Sequence, residues 1–215
     1  MLLGVLCLYN FSCREIQPYE IQPHVNGYRL DGTVTTANGV PIKDVDVRLY
    51  YYYHRVSDTP IDTQRVYVAD STRIVDVAVY CPDNTFVRQL FLGYRAPGYL
   101  PRYRWDGFDY NGVPAPGGKY LIRYVVDTAI VKYSPVLLDG RTTATTDVFG
   151  QFTLDGNRLP IGDRFDIYDF ANMYFGTYEV TPEIDIRLKK LTLSKLYTAI
   201  ILTKDNIITR SFTLE

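Results

Sequence analysis

The sequence predicts an all-β fold, and three observations carry that expectation. Tyr accounts for 20 of 215 residues, and its side chain suits the half-buried pleated surface of a strand. Apolar and polar residues alternate in short runs, the two-residue period of strands rather than the 3.6-residue period of helices. Clusters of Gly, Asp, Asn and Pro separate these runs, as turns between antiparallel strands require. No convincing long helix is present. Leu188–Tyr197 (LKKLTLSKLY) alone invites a helical reading, and its alternation and Thr content favour a strand.

The elements follow in order. Residues 14–26 (REIQPYEIQPHVN) hold two Pro and no sustained period, and read as an extended tether. Tyr28–Thr35 leads to Asn38-Gly39, a strong hairpin signal. Val45, Val47 and Leu49 then alternate with Asp46 and Arg48 as a half-buried strand demands. Tyr50–Tyr53 continue that strand, and alternation sends two rings to each face. Strands are expected next at Arg73–Cys81, Thr85–Leu92, Leu100–Trp105 and Lys119–Thr128. The polar loop from Trp105 to Tyr120 lies between Tyr99–Trp105 and Tyr120–Val126, which predicts an antiparallel hairpin of those two segments. Within Thr146–Leu154 a turn leads into the next strand, and further strands are expected at Arg164–Met173, Tyr174–Val180, Glu183–Leu188, Tyr197–Thr203 and Ile207–Leu214. In the last, Ile208, Arg210, Phe212 and Leu214 share one face.

Two of these stretches carry motifs. The loop reads W-D-G-x-D-x-x-G-x-x-x-P-x-G-x-Y through Trp105, Asp106, Gly107, Asp109, Gly112, Pro116, Gly118 and Tyr120, with Asn111 and Gly117 inside it. This wording resembles the Ig-like module of flagellar hook-capping proteins. Gly32, Val34, Gly39, Pro41, Val45 and Val47 fit G-x-V-x-x-x-x-G-x-P-x-x-x-V-x-V. That pattern resembles the first hairpin of carboxypeptidase regulatory-like (transthyretin/CnaB-like) domains. The second hallmark of those domains, T-D-x-x-G-x-F, appears only at Thr146, Asp147, Gly150 and Phe152. The resemblances imply two Ig-like β-sandwiches, one inserted into a loop of the other. The host would comprise residues 27–55 plus 136–215, because two strands alone bury too little core. The guest would be residues 64–134, since insertion into an exposed loop is tolerated when the guest's ends lie close together. A single large sandwich with a long decorated hairpin is the alternative layout. Neither family lends a catalytic residue.

The first 13 residues suggest a location. Met1–Tyr9 is an uncharged apolar run followed by Asn10-Phe11-Ser12-Cys13, which resembles a bacterial lipoprotein signal. The resemblance implies a chain tethered to the membrane through lipid on Cys13, in the cell envelope, on an outer membrane facing the periplasm or the cell surface. No basic residue precedes the run, and Asn10 stands where such signals carry an aliphatic residue. A short buried strand is the alternative reading. No apolar run approaches the ~20 residues of a membrane-spanning helix. A net charge of -1 gives no reason to expect a nucleic-acid partner, which would need a clustered basic surface.

Candidate chemistry is sparse. The cysteines are Cys7, Cys13 and Cys81, and the histidines are His24 and His54. Cys81 precedes the turn Pro82-Asp83-Asn84 and reads as a small buried side chain at a strand end. Asp106, Asp109 and Asn111 have oxygens that calcium would accept, but the same residues stabilise turns by bonding their own backbone. Motifs for a nucleophile elbow, a Walker loop or a dinucleotide site are missing. No catalytic residue, cofactor or metal is therefore expected. Trp105 is the only Trp and is expected to anchor the guest core. Tyr51, Tyr53 and Tyr110 mark a candidate surface for a protein or glycan partner, with packing between the two sandwiches as the alternative. The expected function is a non-catalytic structural or adhesive binding module. A carbohydrate-binding accessory subunit of a secreted hydrolase or glycan-uptake system is the second expectation, and a filament subunit built by edge-strand pairing is the third.

Overall fold

A computed structural model describes residues 27–169 and 171–215, and it is all-β. The signal-like residues 1–13 with Cys13, and the tether 14–26 with His24, lie outside the described residues. The strands are β1 (Arg29–Thr35), β2 (Asp46–Ser57), β3 (Tyr67–Val68), β4 (Ile74–Tyr80), β5 (Phe86–Tyr94), β6 (Gly98–Tyr99) and β7 (Gly118–Val126). They continue as β8 (Ala129–Leu138), β9 (Thr142–Thr145), β10 (Gln151–Asp155), β11 (Arg164–Tyr168), β12 (Tyr174–Lys190), β13 (Leu193–Ile201) and β14 (Ile207–Thr213).

Two sheets share one apolar cluster. The first has the order β10-β1-β14, with β1 antiparallel to β10 and parallel to β14. The second has the order β11-β12-β2-β9, and β13 also pairs with β12. Period-2 alternation aims Leu30, Val34, Leu154 and Phe212 of the first sheet at Leu49, Ile184, Ile186 and Leu188 of the second. Strand β12 is long enough to pair with β11 near its start and β13 near its end, while β2 runs along its other side. A bulge between Val180 and Ile184 resets the register between those halves. Tyr174–Leu188, expected as two strands, is therefore one.

The remaining strands enclose a second cluster. A four-stranded antiparallel sheet has the order β5-β4-β7-β8, and β3 pairs with β6 beside it. Val75, Val77 and Val79 of β4 pack with Ile122 and Tyr124 of β7 and with Leu100. Trp105 packs against this cluster, its ring 4.7 Å from that of Tyr120 in an edge-to-face contact. The fully buried members of the first cluster come from residues 30–51 and 152–214, and those of the second from residues 66–124.

Five connections have one geometry: Thr36–Val40, Cys81–Thr85, Asp109–Val113, Asp147–Gln151 and Asp169–Met173. In each, the first N–H donates to the last carbonyl at 2.8–2.9 Å, and the fourth N–H donates back to the first carbonyl at 3.0–3.1 Å. The fourth residue is left-handed every time: Gly39, Asn84, Gly112, Gly150 and Asn172. This is the three-residue hairpin loop built on a type I turn with a Gly or Asn bulge. Asp109, Asp147 and Asp169 reinforce it, each Oδ1 accepting two backbone N–H groups from within its own loop.

Three expectations require correction. Leu100–Trp105 is extended but belongs to no sheet, and β7 pairs with β4 and β8 instead of with it. Pro101 removes one donor from this segment, and Arg102 and Arg104 point their side chains at Tyr168 and Asn172. The loop Trp105–Tyr120 consequently joins segments that are not hairpin partners. Strand β8 runs from Ala129 to Leu138. It tolerates Pro135 because it is the outer strand of its sheet. Finally, Arg164–Met173 is a strand only to Tyr168, after which the Asp169–Met173 hairpin turns the chain.

Candidate functional site

Polar side chains gather where the chain passes between its two clusters, around residues 58–66 and 139–141. At the second passage Asp139 accepts the Tyr51 N–H at 3.2 Å and the Tyr53 hydroxyl at 2.7 Å. Gly140 N–H donates to Leu49 O at 2.9 Å. Arg141 then donates to Gly107 O and Asp106 O at 2.8 and 3.0 Å. The return segment is thus bonded to β2 on one side and to the Trp105–Tyr120 loop on the other.

This arrangement separates the three tyrosines considered as a contact surface. Tyr51 is only 5% exposed, belongs to the first cluster, and donates its hydroxyl to Arg158 O at 2.7 Å. It has no face to offer a partner. Tyr53 is 39% exposed, with its hydroxyl held by Asp139. Burial raises the pKa of both phenols, and the neighbouring Asp139 carboxylate adds to the effect. Tyr110 is 71% exposed at the tip of the Asp109–Val113 hairpin, beside the Phe86 ring.

The motif loop holds itself together and docks. Trp105 Nε1 donates to Phe108 O at 2.7 Å, and Tyr120 donates its hydroxyl to Pro116 O at 2.8 Å. Asp106 Oδ1 accepts the Phe108 N–H at 3.1 Å and Arg88 Nη1 at 3.2 Å. Asn111 and Gly112 form the turn that Asp109 caps. Among the described residues, no group of three His, Cys, Asp or Glu could hold a metal ion. The loop's end lies against the first cluster's elements: Gly117 N–H donates to Thr142 O at 3.2 Å, and Lys119 Nζ pairs with Asp163 at 2.8 Å. Gly118 passes beside Asn157 in the short 3-10 turn Gly156–Arg158.

The first passage borders an open cleft of about 650 Å³ lined by Asp62, Arg65, Arg102, Tyr124, Lys132 and Tyr168 among others. Asp62, 12% exposed, accepts Lys132 Nζ at 2.7 Å and the Ser134 hydroxyl at 2.8 Å. Lys132 Nζ also donates to Gln64 O at 2.6 Å. Arg102 lies with its guanidinium 3.6 Å from the Tyr168 ring centre, donates to the Tyr168 hydroxyl at 2.7 Å, and stands 3.9 Å from Asp62. Behind the passage, Asp166 accepts the N–H groups of Ile61 and Asp62 at 3.1 and 2.8 Å. No local motif announces this site. Its members come from residues 60 to 172, and alternation in β8 and β11 was the only available signal for Lys132 and Tyr168.

The other reactive groups sit apart from the cleft's lining. Burial raises the pKa of the Cys81 thiol, with a smaller push from Asp83. His54 is exposed on the outer part of β2, 3.8 Å from Glu179. No family model, curated protein or solved structure matches the chain. The two module resemblances accordingly rest on their motifs.

Proposed function

We propose that this chain is a non-catalytic binding or structural module of a bacterial cell envelope, held to a membrane by lipid on Cys13. Within it, a host β-sandwich of residues 27–55 plus 136–215 carries an inserted Ig-like guest of about residues 64–134. The observation that carries the two-module part of this reading is the division of the buried apolar residues. One cluster draws on chain from both sides of the insertion and the other on the chain between, as two modules with separate cores would require. The spending of polar groups agrees with it: Asp109, Asp139, Asp147 and Asp169 serve backbone and hydroxyl donors.

Mass spectrometry of the protein from a native bacterial membrane fraction tests the location. A diacyl or triacyl mass on Cys13 is the expected result. An unmodified Cys13 in soluble protein would refute it. Deleting residues 64–134 and closing the gap with a short Gly/Ser linker tests the architecture. The remaining host should unfold cooperatively, whereas a chain that never folds would favour the single decorated sandwich.

The cleft at the first passage favours the second reading, a module that binds carbohydrate for a hydrolase or uptake system. It is concave and combines apolar walls with a few fixed polar groups, the usual form of small-ligand sites.

A further inference from the structure

The charges in the cleft do not balance. Asp62 is the one acid among the described lining residues, against Arg65, Arg102 and Lys132. Asp62 and Lys132 are in direct contact at 2.7 Å, each about a tenth exposed, and largely cancel. Asp166 behind them is occupied by two backbone N–H groups and the Thr177 hydroxyl. Two guanidinium groups remain. Arg102 stands 3.9 Å from Asp62, an ion-pair distance without a hydrogen bond, and shares that carboxylate with Lys132. Arg65 pairs with no carboxylate among the described residues.

Both guanidinium groups are positioned by aromatic rings instead. Arg102 lies over Tyr168 at 3.6 Å, and Arg65 over Tyr99 at 4.5 Å. Ring contact positions each guanidinium and leaves donors to spare: Arg102 spends one N–H on the Tyr168 hydroxyl, and Arg65 rests over the Tyr99 ring. Such a fork matches a carboxylate, which accepts two parallel hydrogen bonds. Around it, the Thr63 hydroxyl suits ring hydroxyls, Gln64 and Asn172 line the cleft with Gln64 Nε2 on Val131 O and Asn172 Oδ1 on Arg104, and Pro60, Pro101 and Leu100 supply apolar walls. A peptide backbone finds no obvious ladder here, because the β8 carbonyl at Val131 already accepts Gln64 Nε2 and Lys132 Nζ is turned onto Gln64 O. The volume, about 650 Å³, falls within the ~300–1,000 Å³ of small-ligand sites.

We propose that this cleft binds an acidic saccharide, with the carboxylate of a uronic acid residue received by Arg102 and Arg65. The proposal deepens the reading of the chain as a binding module, but lipidation of Cys13 and the two-core architecture stand or fall without it.

Calorimetric titration of the full chain tests it, with digalacturonate, neutral digalactose and the dipeptide Asp-Asp as probes. Digalacturonate should bind at least ~10-fold more tightly than either of the others, and Arg65→Gln and Arg102→Gln should each weaken it by ~10-fold or more. Arg65 is exposed and, among the described residues, rests on the exposed Tyr99 ring, so Arg65→Gln should melt like the parent chain and keep the test interpretable if Arg102→Gln unfolds. Absence of digalacturonate binding overturns the proposal. So does equal binding of digalactose or Asp-Asp, or digalacturonate binding that Arg65→Gln leaves unchanged.

Discussion

A Cβ added to Gly118 would lie 2.7 Å from the main-chain oxygen of Asn157. Gly118 opens β7 of the second cluster, and Asn157 belongs to the 3-10 turn after β10 of the first. The contact therefore joins elements whose apolar side chains pack into different cores. Its neighbours tighten the same seam, with Gly117 bonded to Thr142 and Lys119 to Asp163. The glycine-rich motif acts at its far end as a close-approach surface.

Gly118→Ala meets that contact at a φ of +137°, a backbone region that L side chains avoid. The expected loss is ~1–3 kcal/mol, checked by urea unfolding. Gly112→Ala, at an open hairpin tip where nothing lies within 4 Å of an added Cβ, should lose less, about 1 kcal/mol from its left-handed φ alone. Equal losses at the two sites would remove the case for close docking at Gly118.

The three Asp-capped hairpins should not respond equally to losing their carboxylates. Asp147→Ala removes two backbone acceptor bonds of 2.8–2.9 Å, and its hairpin places the Gly150 carbonyl against the Val34 N–H of the first core. A fall of ~1–2 kcal/mol in global stability is expected. Asp109→Ala removes the same pair of bonds from a hairpin tied to β5 by the Tyr110 N–H to Val87 O bond. Hydrogen exchange should there register a local opening, with a smaller change in the global unfolding midpoint.

Some of these hairpins were legible in the chain, whereas Asp169–Met173 lay inside an expected strand. Asn38-Gly39, Asn111-Gly112 and Phe149-Gly150 place glycine where a left-handed residue must sit, and Asp109 and Asp147 stand at the capping position. Strand alternation was equally plain wherever one face meets a core, as in Val45, Val47 and Leu49. Pairing partners were not readable, because alternation says nothing about which edge a strand will join. Leu100–Trp105 looks like a hairpin arm but has its arginines at Tyr168 and Asn172, more than sixty residues on. Tyr51 misled for a related reason: four consecutive tyrosines do not reveal which two face inward. The cleft was invisible, since Asp62, Arg102 and Lys132 meet only through long-range folding.

Alkaline pH should unfold the chain through its buried phenols. Burial raises Tyr120 from the usual value near 10 to about 12, and it raises Tyr51, Tyr53 and Tyr124 as well. A folded-state pKa above the unfolded one favours the protonated fold, so the stability is fully present below pH ~10 and is lost as pH rises through the folded values. Urea midpoints should hold steady up to about pH 10 and fall above it, together with a delayed rise in tyrosinate absorbance. A tyrosinate titration complete near pH ~10 with no loss of stability would contradict the burial of these rings.

The acid limb has the opposite sign. Asp31 has a lowered pKa through its hydrogen bond with Arg29, Asp70 through Thr72, and Asp127 through Arg73. A folded-state pKa below the unfolded one contributes stability that is present above pH ~4 and is lost as pH falls through the folded value. Asp70 and Asp127 are on exposed turns beside Arg73, where solvent screens the pairing. Their loss should therefore show as local exchange at the β4 end, and Arg29→Gln should return Asp31 toward its ordinary titration, as carbon-detected NMR of the carboxylates would measure.

Asp62 and Lys132 provide the sharpest test of the junction. Their side chains are 12% and 10% exposed, and their 2.7 Å contact connects the first passage to β8. Asp62→Ala leaves Lys132 facing Arg102 across the vacated position and removes the acceptor of the Ser134 hydroxyl, at an expected cost of ~1.5–3 kcal/mol. Lys132→Met alone leaves Asp62 with Ser134 at 2.8 Å and Arg102 at 3.9 Å, so it should cost less. In the double variant neither charge is stranded, and the losses should fall short of their sum by ~0.5–3 kcal/mol. Added salt should change that coupling little, because partly buried pairs are poorly screened. Additive losses would mean that the two charges are solvated independently, and the first passage would then be a loose linker instead of a bonded seam.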